Sequence, residues 1–328
     1  MGNVVPMANV NLELFLHIKQ NAIVKLLFLQ KKNLFFMSAW ISAARPRTLP
    51  LALSCILMGS FLAADAEQFN WLIFALACLT TILLQVLSNF ANDYGDTQNG
   101  ADSSERVGPS RAVQSGEISP GQMFKAIVLF AGLSLVSGIL LLYFSLKDAD
   151  STTFWYFLGL GLLCILAAYT YTAGKRPYGY AGLGDISVLI FFGLVGVLGS
   201  NYLFTKSFYP LNILPALSSG FLATGVLNLN NIRDIESDRS TGKFTIPTRL
   251  GKQKSIYYHW FLLVASALSI LSFAIIKGDM SWYFVLAFPL FILNGVKVNS
   301  LENPDPLLKQ LSFSTLAFVV LTGLSLLF

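Results

Sequence analysis

Nine apolar runs, each close to the length that crosses a bilayer, constrain this chain more than any other feature. A helix needs about 20 apolar residues to span the hydrocarbon. Runs of this kind lie at roughly 48–65, 71–92, 122–146, 153–173, 184–204, 210–230, 256–276, 281–296 and 308–328. They predict an all-α integral membrane protein of about nine transmembrane helices. Composition agrees: 55% of residues are hydrophobic and only 12% charged, and the mean hydropathy is +0.64. That is too apolar for a soluble domain. Cys55, Cys78 and Cys164 all fall inside apolar runs with no paired spacing, which argues against a disulfide or zinc site. His17 and His259 stand too far apart to form a ligand or base pair.

The basic residues set an orientation. Of the 22 Lys and Arg, only Lys147, Lys206 and Lys277 fall on one side of the predicted spans. The positive-inside rule makes the other side, which includes the N-terminus, cytoplasmic. The net charge of +5 therefore reflects topology, and no nucleic-acid partner is implied. Residues 1–36 stand apart from this pattern. Their apolar stretch is broken by Lys19, Lys25, Lys31 and Lys32, making a poor span. The stretch reads as an extension that is interfacial or, if the true start is Met37, not translated. It lacks a small-residue cleavage site of signal-peptide type. Residues 37–328 form the membrane domain.

Two polar clusters interrupt this apolar background at the ends of the second and sixth runs. The first reads LSNFANDYGDTQNGAD, with Asn89, Asn92, Asp93 and Asp96 at three- and four-residue spacings that share one helical face. Gly95 and Gly100 are expected to loosen the helix there, and Asp102 follows. The second reads NNIRDIESDR, with Asn230, Arg233, Asp234 and Asp238. Carboxylates at the C-terminus of a membrane helix face both lipid and the negative end of the helix dipole. Something positive must balance them, and oxygen ligands of this type suit Mg²⁺. Solvated loop charges are the plainer reading, but the repeated frame, Asn89 to Asp93 and Asn230 to Asp234, favours metal binding. Mg²⁺ prefers a few carboxylates together with substrate phosphate oxygens, so two facing acidic ends imply a diphosphate. Arg111, Lys175, Arg233 and Lys243 lie in the adjoining connections as candidate cationic partners. A third polar stretch, YTYTAGKRPYGYAGLGDIS, carries Tyr171 and Lys175 on the same side and would supply aromatic walls and a cation.

These motifs resemble the UbiA superfamily of intramembrane aromatic prenyltransferases, and within it the 1,4-dihydroxy-2-naphthoate polyprenyltransferase branch. ARPRTLP before the first span, the first cluster with RVGPSR, YTYTAGKRPYGYAGLGDISVLIFFG, and NNIRDIESDRSTGKFTIPTRLG carry the resemblance, in order, from about residue 40 onward. Asn99 departs from it, standing where a basic residue is common. The resemblance implies a helical bundle around a central cavity open to cytoplasm and lipid. It also implies transfer of a polyprenyl chain from its diphosphate onto 1,4-dihydroxy-2-naphthoate, with loss of CO₂, in menaquinone biosynthesis. Asp93, Asp96, Asp102, Asp234 and Asp238 would hold Mg²⁺. Lys175 would act with the carboxylates in catalysis. Asn89, Asn92, Arg111, Tyr171, Lys175, Asn230, Arg233 and Lys243 would bind substrate. Other acceptors (4-hydroxybenzoate, homogentisate, a tetrapyrrole) fit the superfamily too. A cation-coupled transporter is the alternative from another class, but its acids sit at mid-bilayer on broken helices.

Overall fold

A computed structural model describes residues 37–100, 111–301 and 303–328, with His17 and Lys19. Apart from those two residues, the expected extension over 1–36 lies outside the described residues, as does Asp102. The membrane helices are α1 (Met37–Asp65), α2 (Trp71–Gln98), α3 (Pro120–Leu146), α4 (Ser151–Thr170), α5 (Gly184–Thr205) and α6 (Pro210–Arg233). Two short helices follow, α7 (Ile235–Ser240) and α8 (Ile246–Leu250). The last three are α9 (Lys252–Lys277), α10 (Tyr283–Lys297) and α11 (Asp305–Leu327). Eight of these are long and apolar enough to cross a bilayer, and α10 is a shorter apolar helix. All nine predicted runs thus become helices, and no strand occurs among the described residues.

The polar residues between runs start the helices. Asn70 accepts from the backbone N–H of Leu72 and Ile73 at the head of α2. Asp150 accepts from Thr153 at the head of α4. Ser119 and Gln122 form a reciprocal capping box on α3. Pro46 forces a 3₁₀ turn, Pro46–Thr48, early in α1. One element departs from expectation: Leu189–Gly199 of α5 is π-helical rather than regular α-helix. Such widened turns recur at functional sites, and this one faces a cavity.

Lipid is as apolar as a leucine side chain, so helices in a membrane associate through close packing and hydrogen bonds instead of the hydrophobic effect. The interior accordingly holds many small hydroxyl residues. Ser218 of α6 bonds Ser266 of α9 at 2.9 Å, and Thr80 of α2 bonds Ser137 of α3 at 2.8 Å. Thr315 and Thr322 of α11 return their hydroxyls to carbonyls four residues back, so they enter the core with no unmet donor. Helix α6 is central, packing against α5, α9 and α11, while α11 also lies along α1.

Helix α4 is the exception, with no buried residue along its length. It packs on α2 and α3 and scarcely on α5. At one end of that seam Phe157 stacks on Tyr202 of α5, with centroids 5.2 Å apart. At the other, the Tyr178 hydroxyl donates to the Ala167 carbonyl at 3.1 Å. Between them α1 to α5 enclose a cavity of about 390 Å³. Its walls are mostly apolar, and Asn89, Asn92, Tyr171 and Tyr178 close its polar end.

Candidate active site

Helix α2 runs unbroken through the first acidic cluster to Gln98. Gly95 does not loosen it. A Cβ at Gly95 would lie 2.5 Å from the Thr172 carbonyl carbon, so the missing side chain lets the third polar stretch lie directly on the helix. Asn99 then donates to the Gly95 and Thr172 carbonyls, at 3.0 and 2.8 Å. The Thr172 hydroxyl donates to the Ala91 carbonyl and to Asn92 Oδ1. Asn99, which departs from the common basic residue, is therefore part of a clamp joining the first and third motifs.

The two first-motif carboxylates face different partners. Asp93, 1% exposed, accepts from the backbone N–H of Ala112 and Val113 at 3.2 and 3.3 Å. It anchors the returning loop. Asp96 forms a 2.5 Å ion pair with Arg111 and accepts from the Tyr180 hydroxyl at 2.9 Å. Arg111 also donates to the Asn92 carbonyl, which fixes the guanidinium across the helix end.

The second cluster is built differently. Helix α6 ends at Arg233, the backbone turns at Asp234 (φ −101°, ψ 14°), and α7 resumes. The break falls at the end of the membrane helix and not at mid-bilayer. Arg233 donates Nε and Nη2 to Asp234 at 2.8 and 2.7 Å. It also donates to Asn230 Oδ1 at 2.9 Å and to Asp305 at 2.5 Å. Arg233 is thus committed to protein oxygens, where the sequence reading expected a diphosphate contact. Asp238 pairs with Lys243 Nζ at 3.4 Å, and that ammonium also sits 5.5 Å from the Tyr180 ring centre.

The two helix ends meet electrostatically. Burial pushes the Asp238 carboxyl up to about 6, with Asp234 and Asp96 raising it further and Lys243 opposing them. Burial alone would lower Lys243, but Asp96 and Asp238 outweigh it and raise the ammonium above its usual range. Lys243 therefore stands between carboxylates of both motifs. Lys175, the other lysine expected at the site, is exposed and makes no ion pair among the described residues. Asn89 is also turned to structure, donating to the Ala44 carbonyl and Thr48.

Among the described residues no three acidic side chains converge closely enough to hold an ion together. The donor set nevertheless fits a hard divalent cation. Buried carboxylates approach from two helix ends, and Asp238 Oδ2 is buried with no hydrogen-bond partner. A buried carboxylate oxygen without a donor is costly unless a positive charge can reach it.

Residues 52–321 match the UbiA prenyltransferase family. The chain belongs to this family. It is 48% identical over 299 residues to the 1,4-dihydroxy-2-naphthoate octaprenyltransferase of Haemophilus influenzae, covering 89% of this chain and 96% of that one. It is 46% identical to the Escherichia coli enzyme of the same name, covering 77% and 82%. The fold is shared with an apo UbiA homologue from Aeropyrum pernix at a TM-score of 0.62 and 16% identity, covering 84% of this chain and 96% of that one. A homologue from Archaeoglobus fulgidus bound to GPP and Mg²⁺ aligns at 0.58 and 16% identity, covering 88% and 99%. Like its relatives, this chain is a prenyltransferase and a multi-pass membrane protein. Asp305 and Tyr180 are the site-facing residues that sequence spacing did not single out, since both act across long separations in the chain.

Proposed function

We propose that this protein transfers a polyprenyl chain from polyprenyl diphosphate to 1,4-dihydroxy-2-naphthoate, releasing diphosphate and CO₂ and forming demethylmenaquinol. The observation that carries the acceptor is the 48% identity, over nearly the full length of both chains, to an octaprenyltransferase named for that substrate. The geometry supplies a matching donor site. The charged groups sit behind the polar end of an apolar cavity, where Arg111 donates to the carbonyl of the lining residue Asn92, so a diphosphate head and a hydrocarbon tail would each find their own surroundings.

Asp96, Asp234 and Asp238 would hold Mg²⁺, with Asp93 behind them and Asp102 as a further candidate from the sequence. Bound there, Mg²⁺ supplies Lewis-acid neutralisation of the departing diphosphate and a template for it. Arg111 and Lys243 are placed to stabilise the same charge. Lys175, on the exposed rim, is left to meet the diphosphate as it enters or leaves. The Tyr171 and Tyr178 rings, 5.3 Å apart and edge to face, stand at the polar end of the cavity, where the allylic carbon of a bound donor would lie. Their faces favour developing positive charge there. Burial and the Asp185 and Asp96 charges push the Tyr171 phenol upward, so it remains neutral. The apolar walls keep water from the cation.

The chemistry fixes the by-product. The carbon–oxygen bond to diphosphate breaks, and a carbon–carbon bond forms at the carboxylate-bearing ring carbon. That carbon has no hydrogen to lose. The electron pair of the bond to the carboxylate therefore restores the aromatic ring, and CO₂ departs. Purified protein with Mg²⁺, a long-chain prenyl diphosphate and carboxyl-labelled 1,4-dihydroxy-2-naphthoate should release one label per chain transferred. Chelator should stop the reaction and Mg²⁺ restore it. Prenylated product that keeps its label, or transfer only to 4-hydroxybenzoate, defeats the reading.

The acidic helix ends face the cytoplasm and the chain resides in the cytoplasmic membrane, because Lys and Arg concentrate on that side. A cysteine at position 241 should react with an impermeant thiol reagent only after cells are opened. Labelling in intact cells would reverse the topology.

A further inference from the structure

Asp305 opens α11, far along the chain from both acidic motifs. Its two oxygens take different arginines: Arg233 at 2.5 Å and Arg47 at 3.1 Å. Arg233 is the buried member, with 1% of its side chain exposed, against 24% for Asp305 and 42% for Arg47. Arg233 serves two carboxylates at once. Nε and Nη2 lie on Asp234, while Nη1 lies on Asp305. Asp305 sits in the first turn of α11, where the helix dipole favours its negative charge.

A guanidinium bound in bidentate fashion to one carboxylate neutralises it and occupies the oxygens a metal would need. Asp234 has such a partner as its immediate neighbour in sequence. With a second carboxylate on the opposite edge, the single positive charge of Arg233 is shared, and Asp234 keeps more of its own. We infer that Asp305 is a positioning residue for the cation site: it takes a share of the Arg233 charge, leaves Asp234 more negative, and so sets how strongly the second motif holds a divalent ion. Arg47 opposes this by taking a share of Asp305. The inference rests on the proposed role of Asp234 as a cation ligand. A strap that only joined α1, α6 and α11 would affect folding and leave ion affinity unchanged.

The test is direct binding of Mn²⁺, in the presence of inorganic diphosphate, to the full-length protein in lipid nanodiscs, read from the electron paramagnetic signal of free Mn²⁺. Asp305→Asn keeps the shape and removes the charge, so the whole positive charge of Arg233 falls to Asp234. Half-saturating Mn²⁺ should rise about tenfold, the scale of one charge-assisted hydrogen bond. Asp305→Glu should stay near the wild-type value. Arg47→Gln, at an exposed side chain, leaves Asp305 wholly to Arg233 and should leave Mn²⁺ binding unchanged or tighter. Wild-type affinity in folded Asp305→Asn protein overturns the inference. So does weaker binding in Arg47→Gln, the arm that decides if Asp305→Asn does not fold. Failure of the wild-type protein itself to bind Mn²⁺ removes the cation site, and this inference with it.

Discussion

The two acidic helix ends carry the same residue types and solve the same electrostatic problem in opposite ways. The first stays helical through both aspartates and brings other parts of the chain to them: the 111–113 loop onto Asp93 and Asp96, and Tyr180 onto Asp96. The second breaks at Asp234 and supplies its own cations from within eleven residues, Arg233 and Lys243. One end is a scaffold on which loops are hung, and its Asp93 accepts a backbone donor on each oxygen. The other is local, and leaves Asp238 with an oxygen that no group among the described residues satisfies. The difference teaches that matched motifs need not share a division of labour. Carboxylates equal in the sequence are unequal in their freedom to take a metal.

The largest effect should separate Asp238 from Asp93. Asp96→Asn and Asp238→Asn should each cut turnover by at least ~10²-fold in protein that inserts and folds normally, as loss of transition-state charge stabilisation does. Asp93→Asn turns an amide N–H toward the backbone donors of Ala112 and Val113, so its first consequence should be a lower melting temperature. If Asp93→Asn melts like wild type yet has no turnover, Asp93 is a ligand like the others and the contrast collapses. Next in size come the lysines. Lys243→Gln should cost roughly 10-fold to 10²-fold in kcat, whereas Lys175→Gln should act mainly on KM for the prenyl diphosphate. Equal kcat losses would show that the exposed lysine moves into the site during turnover. Smallest is Tyr180→Phe, which removes one hydrogen bond from Asp96 while Arg111 remains. A fall of about tenfold or less in kcat/KM is expected. A loss as large as that of Asp96→Asn would make Tyr180 a participant in its own right.

The helices were legible because membrane insertion reads local hydrophobicity, and a run such as 71–92 carries that signal in its own residues. The acidic clusters were legible for a related reason: charge at the end of an apolar run is conspicuous. Pairings between distant segments were not. Nothing near Asp305 marks it as the partner of Arg233, and nothing in the tyrosine-rich stretch selects Tyr180 to hold Asp96. Lys175 stood out in the sequence because tyrosines flank it in the third polar stretch, yet folding buries Lys243 among the carboxylates and leaves Lys175 outside. Gly95 reads locally as a helix breaker, while its role depends on a backbone that arrives almost eighty residues later, at Thr172.

Helix α4, with no buried residue from Ser151 to Thr170, has one more consequence. Its inner face borders the cavity, its outer face borders lipid, and it meets Tyr202 of α5 through Phe157 and Tyr178 of the connection leading into α5 through Ala167. Those points are ten residues apart on α4, a height of about 15 Å at helical rise. If acyl chains of the bilayer enter the seam, they complete the wall over that height. The container for the hydrocarbon tail is then part protein and part solvent, and its capacity is not fixed by side chains alone. Thickness and fluidity of the surrounding membrane enter the enzyme's affinity for its donor, much as buffer composition enters that of a soluble enzyme.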